Sequence, residues 1–386
     1  MVIKQLIIVV FFIFMTSGIA YANNIEKILG SKYDYKMISA GNNFPSVDLA
    51  SENLGSICIL LHEGYSIDQI SKYFKWSNEK INKKIELLQK DELIRKNIDG
   101  QYKPNIMVIT LKDNLRHLEV NDKLVNETIQ IILSKMLQIK KRYKTIDGLK
   151  NIDFPDASLL VLSNVILDNW QIRNIEQQIL NKPRTNRNGM NYYYSIQENE
   201  YNKSCEAFGI YGNSYISYND IGFALYGNQR EKVNFRNLST EKLIELFKIN
   251  NDKDHILIKE HLLGEFIKSS RDINYKLSDA YINGFESLGF IKNNKFIVPI
   301  LYQKDILKLS EISALFTDDL SKLLDAHVND LKKKYNASKY SKEISFEEFF
   351  IWWYHLYYTE VTDKLISMNY IKKPESGVFT YLVINK

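Results

Sequence analysis

The stretch Lys112-Asp-Asn-Leu-Arg-His-Leu-Glu-Val-Asn-Asp-Lys-Leu-Val-Asn-Glu-Thr-Ile-Gln-Ile-Ile-Leu-Ser-Lys-Met-Leu-Gln-Ile-Lys-Lys-Arg-Tyr143 decides how the chain divides. Its pattern returns without a gap 192 residues further on (112 to 304), at Lys304–Tyr335. Lys112-Asp113 falls on Lys304-Asp305, Leu115 on Leu307, Glu119 on Glu311 and Lys140-Lys-Arg-Tyr143 on Lys332-Lys-Lys-Tyr335. Between these anchors Leu124, Ile131, Ile132, Met136 and Ile139 meet Phe316, Leu323, Leu324, Val328 and Leu331. Steps of seven, one, four and three place such residues on one side of an α-helix. The basic ends suit a helix C-terminus, where cations offset the macrodipole. The repeat predicts a mainly helical α+β protein built from two similar halves, over 47–197 and 240–386.

Composition bounds the rest. The 386 residues are 45% hydrophobic and 25% charged, which describes a globular chain long enough for two or more cores. Lys4, an apolar run from Leu6 to Met15 and the small-residue site Ala20-Tyr-Ala22 have the pattern of a secretory signal cleaved after Ala22. The mature protein is therefore expected to be secreted or periplasmic. The alternative is an uncleaved signal anchor, which is the only route to the membrane that the sequence offers. With Lys4 removed the net charge falls from +5 to +4, too mild an excess to point to a partner. Cys58 and Cys205 cannot make a disulfide scaffold, and Cys58, inside Ile57-Cys-Ile-Leu-Leu61, reads as a small buried apolar residue. The six histidines are scattered, so neither a metal nor a cofactor is expected.

Along the chain, Leu49 to His62 is a helix candidate with Leu54, Ile57, Cys58 and Leu61 on one side. Ser66-Ile-Asp-Gln69 has the form of a capping box opening a second helix through Phe74. Ser77 caps a third, with Ile81, Ile85 and Leu88 inward. Leu93-Ile94 then starts a strand, Asp99-Gly100 turns it, and Ile106 to Thr110 returns. Ser66–Phe74, Ser77–Leu88 and the Ile94–Thr110 hairpin together resemble the winged helix-turn-helix domain, over roughly 65 residues; the pattern is shared by many families and implies a fold rather than an activity. Ile282, Phe285, Phe290 and Ile291, with the turn Asn293-Asn294 before Phe296–Leu301, repeat the pattern later in the chain. The resemblance implies tandem winged-helix-like units. After the signal and a leader at 23–46 come a unit with a long connecting helix (47–147) and a helix-plus-hairpin unit (148–197). A Tyr/Gly-rich insert (198–239) follows, and the two units recur over 240–337 and 338–386. Within the insert, Tyr215, Ser217 and Asn219 alternate as in a short strand.

A winged helix raises DNA binding first. The third helix and its end carry Lys80, Lys83, Lys84 and Lys90 against Glu79, Glu86, Asp91 and Glu92. A phosphate-facing surface should be net basic, so DNA is disfavoured. Lys140–Arg142 and Lys332–Lys334 read as solvated helix ends. The sequence contains no G-x-S-x-G, P-loop, H-E-x-x-H or Cys-His signature, and no catalytic residue is assigned. Phe349-Phe-Ile-Trp-Trp-Tyr354 reads as core, because an uninterrupted apolar helix is usually buried. The tyrosines near the insert, with two arginines ahead of them, give a set of interface anchors: Arg184, Arg187, Tyr192, Tyr194, Tyr211 and Tyr226. The functional expectation is a non-catalytic interaction protein with an unknown protein partner. The alternatives are a membrane-tethered DNA-binding regulator and, third, a secreted enzyme without a recognisable motif.

Overall fold

The computed structural model describes residues 24–39, 43–113, 118–180, 182–199, 211–227, 234–249 and 254–385. The expected signal peptide with its cleavage at Ala22, and Cys205, lie outside them. The fold is α+β and mainly helical, with 54% helix against 17% strand, which is the expected class. Among the described residues no helix is long and apolar enough to cross a membrane.

The chain divides into two compact units, and they are not consecutive halves. Unit 1 takes 1–119, 182–208 and 327–353; unit 2 takes 120–181, 209–326 and 354–386. The expected boundaries at 197 and 240 are corrected accordingly. The central strand of each sheet comes late in the chain, so each unit must gather distant stretches.

After a helical stretch at 24–30, unit 1 has β1 (Tyr33–Ser39) and then three helices, α1 (Leu54–His62), α2 (Ile67–Phe74) and α3 (Asn78–Lys90). Helix α1 starts five residues later than its hydrophobic pattern predicts, because Glu52 and Asn53 adopt left-handed backbone with φ of 49° and 62°. Helix α2 opens on the predicted capping box: Ser66 Oγ accepts from Gln69 N, and Gln69 Oε1 accepts from Ser66 N. Ser77 caps α3 in the same manner, accepting from Lys80 N. The hairpin that follows pairs β2 (Ile94–Lys96) with β3 (Tyr102–Pro104) around Gly100, whose φ of 80° favours glycine. Its return arm is therefore not Ile106–Thr110, as expected. That segment forms β4 (Met107–Ile109), buried at every position, and leaves the hairpin for the sheet. There it runs parallel to β6 (Met190–Glu198), while β1 lies antiparallel on the other side. Two-residue β5 (Asn186–Arg187) joins β6 through a turn at Asn188-Gly189. Leu54, Ile57, Cys58, Leu61, Ile81, Ile85, Leu88, Ile106 and Ile196 fill the core. Burial pushes the Cys58 thiol up to about 12, so it is an inert apolar filler.

Unit 2 holds most of both copies of the quoted repeat. The expected continuous connecting helix is broken in each. The first gives α4 (Asp122–Ser134) and α5 (Met136–Tyr143), separated at Lys135. After α6 (Phe154–Ser158), the π-helical turn Leu159–Val165 and α7 (Ile172–Ile179) comes the β7 (Gly212–Tyr218) and β8 (Ile221–Gly227) hairpin. This is the strand pair that the alternation at Tyr215 predicts. Three helices follow, α8 (Thr240–Phe247), α9 (His255–Arg271) and α10 (Asp279–Ser287), then a hairpin of β9 (Ile291–Lys292) and β10 (Lys295–Phe296). Asn293 and Asn294 have φ of 51° and 59°, as a two-residue type I′ turn requires. Next come β11 (Ile300–Tyr302), α11 (Gln303–Ala314) and α12 (Thr317–Ala337), so the second copy breaks at Leu315-Phe316. Lys135 joins the two breaks: its ammonium donates to the Leu315 carbonyl and to Asp319, and lies 5.2 Å from the Phe316 ring centre.

The last helix, α13 (Phe346–Ser367), and strand β12 (Val378–Ile384) complete the chain. Phe349 to Tyr354 are all buried, as predicted. The border between units falls inside α12 and α13, at 326/327 and 353/354. Strand β12 lies between β11, parallel, and β8, antiparallel. Phe223, Phe235, Phe247, Phe266, Phe285 and Phe290 dominate the core beneath this sheet. Gly284 lets α10 approach α8, since a Cβ there would stand 2.6 Å from the Phe247 ring.

Candidate functional site

The last residue of α1 is the centre of the most charged buried cluster in unit 1. His62 is 3% exposed and lies between two carboxylates, with Nδ1 2.7 Å from Glu343 Oε2 and Nε2 2.8 Å from Asp113 Oδ2. Two carboxylates, one at each ring nitrogen, favour the imidazolium, in which both nitrogens donate. Burial opposes that charge, but Glu343 and Asp113 outweigh it and hold the His62 pKa above its ordinary value. Burial likewise opposes the Asp113 charge, and His62, Lys339 and Thr110 overcome it, so this carboxyl is held far below the usual range. Thr110 supplies two donors to Asp113, its N at 3.1 Å and its Oγ1 at 2.7 Å. Lys339 Nζ bridges Asp113 Oδ1 and Glu63 Oε1 at 3.1 Å each. His62, Glu63 and Asp113 form the one grouping of three potential metal-ligating side chains found among the described residues, their ligand atoms lying within 4.8 Å of one another. Sequence reasoning missed this cluster. Its members come from positions 62, 113, 339 and 343, and no local spacing announces them.

The six predicted anchors land differently from expectation. Arg187 is 1% exposed and donates to the Asn105 carbonyl (3.1 Å), the Tyr192 carbonyl (2.8 Å) and the Glu348 carboxylate. Burial raises the Glu348 pKa, and the Arg187 guanidinium holds part of that rise back. Tyr192 is 1% exposed, with the Arg187 guanidinium 5.5 Å from its ring centre. Tyr211 and Tyr226 belong to unit 2 and are 6% and 0% exposed. Tyr211 donates to Asp363 at 2.7 Å, and the Tyr226 hydroxyl lies 2.6 Å from Ser163 Oγ. These four are framework residues whose side chains do not meet the solvent. Only Arg184 and Tyr194 are partly exposed, and Arg184 is already bonded to the Ile38 carbonyl at 2.9 Å.

Unit 2 holds a second buried polar group at the end of its π-helical turn. Burial pushes the Asp168 carboxyl up to about 7, against a hydrogen bond from the Tyr358 side chain that lowers it. His355 Nε2 stands 4.0 Å from Asp168 Oδ1, and Oδ2 has no hydrogen-bond partner among the described residues. Tyr226, Tyr354, Tyr358 and Tyr381 are buried, and burial, with the Asp168 charge adding to it, raises the pKa of each. Ser163 Oγ links Tyr226 to Thr362, 2.7 Å away. π-Turns recur at functional sites, yet here every reactive group is enclosed.

The accessible surface of α3 and its hairpin is of another kind. Lys84, counted among the basic residues of that helix, is buried and donates to Glu52 through its carbonyl (2.7 Å) and carboxylate (2.9 Å). Asp91 is also buried and accepts from Ser46 N and Val47 N. On α3 and its end the exposed charges are then Lys80, Lys83 and Lys90 against Glu79, Glu86 and Glu92, again cancelling, while the hairpin adds exposed Arg95 and Lys96 against Asp99. Helix α10, the last helix before the β9–β10 hairpin of unit 2, carries exposed Asp279 and Glu286 and no basic residue at all. Apolar side chains stand in solvent on the same elements of unit 1: Leu87 is 41% exposed on α3, and Ile98, in the hairpin turn, is fully exposed.

The chain matches no family model, no curated protein and no solved structure.

Proposed function

We propose that the protein is a non-catalytic interaction protein acting outside the cytoplasm, in which the three-helix-plus-hairpin runs are winged-helix-like scaffolds for binding another protein. The observation that carries this is the surface of α3 and the β2–β3 hairpin. The exposed charges of α3 cancel, where a DNA-reading helix needs a basic excess, and Leu87 on that helix and Ile98 in the hairpin turn stand in solvent; the hairpin itself is mildly basic, with exposed Arg95 and Lys96 against Asp99. Apolar side chains in a neutral setting are what the buried centre of a protein contact uses. The enclosed Asp168 group supports the non-catalytic reading, since its carboxyl is shut away from any substrate.

The shared order of elements supports a duplicated origin. In unit 1 a strand, three helices, a hairpin and a short strand precede a late strand that inserts between the first and the short one, antiparallel to the former and parallel to the latter. In unit 2 β8, α8–α10, β9–β10, β11 and β12 follow the same plan.

Titration of residues 23–386 with duplex DNA at two salt concentrations tests the function. No salt-sensitive binding is expected, and tight binding that weakens steeply with salt would give the DNA-binding regulator instead. In pull-downs from the native host, Leu87→Glu and Ile98→Asp should remove a partner that the unaltered chain retains, with melting temperature unchanged. Retention of that partner by both variants moves the contact elsewhere.

A further inference from the structure

We propose that His62, Glu63 and Asp113 are a binding site for a first-row divalent cation, zinc above all, for which the ammonium of Lys339 is the built-in competitor. Three features point the same way. The donors are one imidazole nitrogen and two carboxylates, with ligand atoms within 4.8 Å of one another, and a mixed nitrogen and oxygen set suits zinc better than calcium or magnesium. Behind the ring, Glu343 lies 2.7 Å from Nδ1, the position from which a carboxylate orients a metal-ligating histidine and leaves Nε2 for the metal. In front of it, Lys339 Nζ lies 3.1 Å from Glu63 and 3.1 Å from Asp113, so a positive charge already occupies the space between two of the three donors.

Zinc bonds of ~2.0–2.1 Å in a tetrahedron put neighbouring ligand atoms about 3.3 Å apart. His62 Nε2 and Asp113 Oδ2, 2.8 Å apart, must spread by about half an ångström, and the wider separations of the set, which reach no more than 4.8 Å, close by up to about 1.5 Å as the partly exposed Glu63 swings in. Entry of a dication displaces the ammonium of Lys339 from between the two carboxylates, so positive charge replaces positive charge there. Access comes from the side of Lys339 and Glu63, whose side chains are 34% and 16% exposed, while His62 stays sealed behind them. A water completes the fourth position.

The test uses the full, untagged chain and measures zinc uptake by competition with a chromophoric chelator, with cobalt(II) absorption as a report of coordination. The unaltered protein should bind one equivalent. Lys339→Met, which removes the competitor, should bind at least about tenfold more tightly, and Glu63→Gln at least about tenfold more weakly, the range over which losses around a metal site are felt. Cobalt bands characteristic of tetrahedral coordination should vanish in Glu63→Gln. Glu63 is partly exposed, so this variant keeps its fold even if Asp113→Asn does not, and circular dichroism checks that. No uptake by either the unaltered protein or Lys339→Met overturns the proposal. Equal uptake by the unaltered protein and Glu63→Gln overturns it too, since it places the ion elsewhere.

Discussion

Replacing Asp168 by asparagine keeps the shape of the side chain and removes its capacity to ionise. In the folded protein burial raises this carboxyl from 3.8 to about 7. At about 1.4 kcal/mol for each factor of ten in the ionisation constant, holding the charged form inside costs the fold about 4 kcal/mol relative to the unfolded chain. The sign follows from which state binds the proton more tightly. Below pH 3.8 both states are protonated and the group costs nothing. Between pH 3.8 and about 7 the unfolded chain has ionised while the folded one has not, so stability falls as pH rises, and it levels off above 7. The Asp168→Asn variant has no such dependence. Urea unfolding of both proteins at intervals from pH 4.5 to 8.5 should therefore show the variant gaining steadily, until near pH 8 it exceeds the unaltered protein by up to about 4 kcal/mol. Taking the difference between the two proteins cancels every other titrating group. A difference that stays constant across this range would mean that Asp168 is solvated or paired, and the account of the buried tyrosine cluster would fail with it.

Other perturbations reach the framework elsewhere. Arg187→Ala strands the Glu348 carboxylate in the interior and should cost about 3–5 kcal/mol in chemical denaturation; unchanged stability with lost partner binding would instead restore Arg187 as an interface anchor. Gly284→Ala should cost about 1–2 kcal/mol despite the better helix propensity, because the Phe247 ring must give way to the new methyl, and a variant as stable as the original would show that α8 and α10 are loosely packed. Lys135→Met should cost about 1–2 kcal/mol by freeing the Leu315 carbonyl and Asp319. Hydrogen exchange should report that change first at the ends of α4 and α12.

What could be read in the chain, and what could not, follows the range of the interactions. The capping box at Ser66, the cap at Ser77 and the turns at Asp99-Gly100 and Asn293-Asn294 act over three or four residues, and they formed where their spelling placed them. The break at Lys135 was invisible, because what holds it is an ammonium reaching residues 180 and 184 positions away. The same applies to Lys84, which reads as a surface cation until Glu52 captures it, and to His62 with its distant carboxylates. The tyrosines misled for another reason. A tyrosine has a large apolar ring and one polar tip, so the composition of a core lined with hydroxyl partners and that of a binding surface are alike. Tyr226 finds Ser163 and Tyr211 finds Asp363, and with those partners both can be buried.

The alternation of the two units along the chain governs how the molecule can be made. The backbone passes from one unit to the other five times, at 119/120, 181/182, 208/209, 326/327 and 353/354. A ribosome delivers the N-terminus first, and proteins of consecutive domains fold each one as it emerges. Here unit 1 lacks its last stretch until residue 353 has been synthesised, and unit 2 until strand β12 near the C-terminus. Neither unit can be completed early, so the closure of both waits for the last stretches of the chain.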